Sequence, residues 1–124
     1  MLTKLSQYPA AIAQAAQSVN EIDKQLAAVQ LLINRIEGYA DKTSAFEPEL
    51  KNDSQRKSRR FELLQVNLEY QQALNTWMRL NAERANAVAH LEYLRNQFSV
   101  AKLETRLAIA RQLAGTEALE LVGV

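Results

Sequence analysis

Cysteine is absent from the 124 residues. That excludes disulfides, thiol chemistry and every thiolate metal site, and leaves the redox compartment open. Glycine (3) and proline (2) are scarce, and the glycines stand alone, so no glycine-rich phosphate loop exists. A single histidine, His90, has no glutamate three residues before it, so the Glu-x-x-His pairs of di-iron bundles are missing. Ser6, Ser18, Ser44, Ser54, Ser58 and Ser99 have no local base and no nucleophile-elbow motif around them. No paired carboxylates converge on an apolar stripe. Neither catalysis nor a cofactor or metal is expected.

A strong charge of one sign is also lacking. Fifteen basic residues face fourteen acidic ones, for a net charge of +1. No global field recruits nucleic acid or anionic lipid, so such binding would need a local patch. No segment approaches about 20 apolar residues free of charge, and no basic stretch precedes an apolar run. Neither a membrane partner nor a secretory signal is therefore expected, and the cytoplasm is the expected compartment.

What remains is helix-forming. Ala, Leu, Gln, Glu and Arg dominate, and they lose little entropy in a helix. Residues 5–40 carry apolar side chains in steps of three and four: Leu5, Tyr8, Ile12, Ala15, Val19, Ile22, Leu26, Val29, Ile33, Ile36 and Ala40. Sustained over about five heptads, this is the mark of a helix laying one narrow seam on another. Ser6 serves as its N-cap, Pro9 falls in the first turn, and Gly38 closes its end. Thr43, Ser44, Pro48 and Asn52 then mark a loop.

Beyond Asp53 or Ser54, either of which can cap a helix, neither Gly nor Pro occurs until Gly115, where a C-cap glycine belongs. Leu63, Val66, Tyr70, Ala73, Trp77, Leu80, Ala87, Leu91, Leu94, Phe98, Ala101 and Ala108 continue a second heptad, interrupted at Arg84 and Thr105. Trp77 and the tyrosines are read as core rather than as base-stacking platforms. The expected fold is an all-α, single-domain antiparallel helical hairpin: helix 6–41, loop 42–53, helix 54–114 and tail 115–124. The tail is either a partly ordered end or a docking segment for a protein partner.

Folding the helices together predicts a register in which large faces small. Tyr8 meets Leu91, Ile12 meets Ala87, Ala15 meets Arg84, Ile22 meets Trp77, Leu26 meets Ala73, and Val29 meets Tyr70. In that register the second helix outruns the first from about Phe98. A lone hairpin seam is little core for a chain of this length. Phe61, Leu68, Met78, Tyr93, Val100, Leu103 and Leu107 point away from the first helix, which predicts a homo-oligomer, most simply a dimer in a four-helix arrangement.

Arg56, Lys57, Arg59 and Arg60 crowd the first turns of the second helix, where the helix dipole disfavours cations. Two readings follow. The cluster pairs with Glu37, Asp41, Glu47 and Glu49, or it forms a phosphate-binding tip for nucleic acid. Arg84, Arg95 and Arg106 repeat every eleven residues along one side, but Arg84 lies on the seam and breaks any continuous basic track.

Leu50, Lys51, Asn52, Arg56, Tyr70 and the run Leu91, Glu92, Tyr93, Leu94, Arg95, Asn96, Gln97, Phe98 resemble a pattern in small helical proteins of tailed phages and prophages. The likeness covers residues 50–102; the Ser-Gln after Asp53 and the tetrabasic run depart from it. It implies a phage-derived accessory protein, often encoded near recombination genes, and carries over no catalytic residue. The expected role is a structural or protein-interaction module. A nucleic-acid-associated accessory factor is the alternative, and an assembly chaperone holding a partner helix is a third.

Overall fold

The computed structural model describes the backbone of residues 4–121 and the side chains of residues 4–115. The chain is all α, with three helices packed together and no strand among the described residues. A 3-10 turn, Leu5–Gln7, leads into α1 (Tyr8–Phe46), followed by α2 (Asp53–Val66) and α3 (Leu68–Leu121).

Several boundaries differ from those expected. Ser6 caps nothing; the Gln7 side chain instead accepts from the Lys4 N–H at 3.0 Å, and α1 begins two residues after Ser6. Gly38 does not close α1, because one glycine costs only about 1 kcal/mol in a helix surrounded by good formers. The helix runs on to Phe46, and its last turns hold Ser44, buried, whose hydroxyl donates to the Ala40 carbonyl at 2.8 Å. Pro48 sets the stop. Its ring disfavours helical geometry at the preceding residue, Glu47, so the loop shrinks to 47–52.

The cap of α2 is Asn52, one residue before the candidates read from sequence. Its side chain accepts from the Gln55 N–H at 2.9 Å, while the Gln55 side chain accepts from the Lys51 N–H at 2.7 Å. Gly115 is no C-cap either, since α3 continues through it to Leu121. The side chains of 116–124 lie outside the described residues, and with them the docking role expected of the tail.

The expected second helix is divided at Asn67. This residue takes an extended backbone (φ −80°, ψ 107°), closes α2, and accepts from the Tyr70 N–H at 2.9 Å through its side chain. An asparagine competes in this way for backbone donors that a continuous helix would use. The break resets the buried stripe. Leu64 is buried, whereas Val66, expected on the seam, is exposed.

The chain divides into two compact units, Met1–Ser18 with Ala87–Val124, and Val19–Asn86. In the first, Tyr8, Ala15 and Leu91 are buried, and the Tyr8 ring stacks on Phe98 at 5.4 Å between centroids. Every described side chain from Leu103 to Gly115 is exposed. In the second, Val19, Ile33, Ala40, Leu64, Ala73 and Leu80 form the core.

Within each unit α3 lies about one heptad away from the expected register. Tyr8 meets Phe98 rather than Leu91. In the other unit Arg84 pairs with Asp23, and the Tyr70 hydroxyl donates to Glu37 at 3.0 Å. A heptad slip keeps every a position opposite a d position, so large-against-small matching is a weak constraint on register. The Asp23–Arg84 pair answers why a charge interrupts the second heptad. Trp77, expected against Ile22, is 38% exposed.

Candidate interaction surfaces

The tip of the second unit carries the basic cluster, and each of its arginines already holds an acid. Arg56 bonds Asp53 at 3.0 Å, and Arg59 bonds Glu47 at 2.9 Å with Glu62 at 3.5 Å. Arg60 bonds Asp41 and lies 3.5 Å from Glu37. Of the four acids read from sequence as partners, Glu37, Asp41 and Glu47 are engaged; Glu49 makes no ion pair among the described residues. Glu47, by hydrogen bond and then by charge, raises the pKa of Arg59 above its ordinary value. Lys57 alone has no acid partner among the described residues.

The four cations do not converge. Arg56, Lys57 and Arg60 line an open cleft of about 160 Å³ together with Asp41, Ser44 and Asp53. Arg59 lines a separate one with Glu47, Pro48, Glu49 and Leu50. In both, a phosphate would meet carboxylates as well as guanidinium groups, and would have to displace them. The arrangement ties α2 to the loop through Glu47 and to α1 through Glu37 and Asp41 rather than presenting an anion cradle.

Glu37 serves as a junction. It accepts from Tyr70 at the start of α3 and pairs with Arg60 in α2. Ten residues of unbroken helix would separate these two by about 15 Å along the axis; the break at Asn67 lies between them. Burial first, then the hydrogen bond and charge of Glu37, raise the Tyr70 pKa above its usual value. Sequence inspection missed both Asn67 and this junction. Asn67 followed three residues later by the seam residue Tyr70 was the available signal.

No family model, curated protein or solved structure matches this chain. Its surfaces must speak for themselves.

The second surface is apolar. Phe61 on α2 and Leu68, Met78, Tyr93, Val100, Leu103 and Leu107 on α3 are all exposed. They do not form one continuous patch. Tyr93, Val100 and Leu107 recur at intervals of seven with Leu103 between, which places these four on a single stripe. Tyr93, Leu103 and Leu107 face away from the stripe bearing Leu91, Leu94, Phe98 and Ala101, the buried and half-buried side chains of the same unit, while Val100 also borders an open cleft with Leu5 and Tyr8. Phe61, Leu68 and Met78 belong to the other unit. Tyr39, Phe46, Ile109 and Leu113 are further exposed apolar side chains. Among the described residues no group of three or more His, Asp or Glu is placed to hold a metal, and no helix is long and apolar enough to cross a membrane.

Proposed function

We propose that this chain is a non-catalytic protein-interaction module: an antiparallel coiled-coil hairpin that self-associates, most simply as a dimer, through the outward apolar stripe of its third helix formed by Tyr93, Val100, Leu103 and Leu107. The observation that carries this reading is the exposure of so many large apolar side chains on helices whose inner faces are already occupied. Water-facing helix surfaces normally carry polar residues, and contiguous apolar ones mark association sites. The described side chains from Leu103 to Gly115 are exposed within one chain, and a helix draws most of its stability from packing. The antiparallel contacts inside each unit support the hairpin. The paired arginines at the tip favour a structural role for the basic cluster over nucleic-acid binding. The likeness of residues 50–102 to small phage proteins agrees with an accessory protein of phage origin acting in the cytoplasm.

Light scattering after gel filtration tests the proposal. A helical species of twice the 14.0 kDa chain mass is expected at tens of micromolar. A helical monomer at that concentration refutes it.

A further inference from the structure

Resting on the self-association just proposed, we infer that the C-terminal part of α3 pairs antiparallel with the same segment of a second copy, centred on the turn of Phe98. The occupant is identified by charge. All seven ion pairs found among the described residues lie in the unit Val19–Asn86. The other unit makes none there, although α3 carries His90, Glu92, Glu104 and Arg106 on its exposed surface. These four flank the outer stripe. With Tyr93, Val100 and Leu107 as one seam row and Asn96 and Leu103 as the other, Glu92 and Arg106 precede the first row, while His90 and Glu104 follow the second.

Only one arrangement of two copies satisfies them together. Centred on Phe98, Ala89 lies opposite the partner's Leu107, Tyr93 opposite the partner's Leu103, and Asn96 opposite the partner's Val100. Small then meets large at the ends. Glu92 falls beside the partner's Arg106 and His90 beside the partner's Glu104, and two-fold symmetry repeats each pair. Moving one heptad toward the C-terminus leaves Glu92 without a cation. Two heptads set Arg106 beside the partner's Arg106 and Glu104 beside the partner's Glu104. One heptad the other way gives no opposite-charge pair. A parallel arrangement aligns Arg106 with the partner's Arg111. Flanking charges of this kind select partner orientation and register in coiled coils.

The chain has no native cysteine, so disulfide trapping reports the pairing directly. Tyr93→Cys and Leu103→Cys, mixed and oxidised, are expected to give linked dimers, while either variant alone gives none. Glu92→Arg and Arg106→Glu are each expected to weaken dimerisation by roughly an order of magnitude through like-charge contacts, and the double exchange to restore it. Linked dimers from a single variant would mean a parallel pairing and overturn the inference. A wild-type dimer that neither crosslinks in the mixture nor responds to the charge changes would overturn it while leaving self-association intact. A helical wild-type monomer would remove both.

Discussion

Leu80→Ala removes three carbons from the most completely enclosed side chain among the described residues, 1% exposed. Lost transfer free energy amounts to about 2.4 kcal/mol at ~0.8 kcal/mol per methylene. A cavity term adds to this, moderated because few helices wall the site and they can close part of the gap. The expected total is about 3 kcal/mol, a large share of the 5–15 kcal/mol typical of folded domains. At roughly 4 °C per kcal/mol for a chain of this length, the melting temperature should fall by about 12 °C. Leu31→Ala is the matched control. It makes the same chemical change in the same unit, but at a side chain 60% exposed, and should cost under about 0.5 kcal/mol. Thermal unfolding followed by circular dichroism, with all samples at one protein concentration, measures both. Equal shifts for the two variants, or less than about 1 kcal/mol for Leu80→Ala, would mean that the seam is not where these contacts place it.

Tyr70 is held neutral by burial and by its bond to Glu37. Its folded pKa lies above the unfolded value, so its contribution is complete below about pH 10 and is lost as the pH rises further. Tyr70→Phe should flatten that alkaline decline in denaturant stability; parallel curves for variant and wild type would count against the junction. Asn67→Ala deletes the cap on α3 and should cost about 1 kcal/mol, measured by urea unfolding. A stabilised variant would mean that the break arises from something other than capping. Labelled single-stranded DNA should show no anisotropy change at low salt, because the tip arginines already hold carboxylates. Salt-sensitive binding that disappears when Arg56, Lys57, Arg59 and Arg60 become Gln would restore the phosphate reading.

Much of this organisation is legible in the chain itself. Heptad spacing over residues 5–40 finds the inner stripe of α1, and every apolar member from Tyr8 to Ala40 is buried or half-buried. The same spacing leaves Tyr93, Val100, Leu103 and Leu107 over, and all four are exposed. Register was not legible, because a heptad repeat is nearly unchanged by a shift of seven, and a single cross-helix pair such as Asp23–Arg84 decides what volume matching cannot. Asn67 was hidden for a different reason. Its neighbours are good helix formers, and one side-chain bond to Tyr70 outweighed them locally. Gly38 and Gly115 misled in the opposite direction, since an isolated glycine weakens a helix without ending it.

Sedimentation equilibrium of the wild type beside Leu103→Glu asks most directly whether the outward apolar stripe is an interface. Leu103 is 62% exposed within one chain, so a carboxylate there leaves an isolated molecule folded, whereas at a helix–helix seam it buries an uncompensated charge. The expected result is a wild-type dimer and a Leu103→Glu monomer of comparable helicity at the same concentration. Identical masses for the two proteins, whether both dimeric or both monomeric, would contradict the assignment of this stripe as the self-association surface.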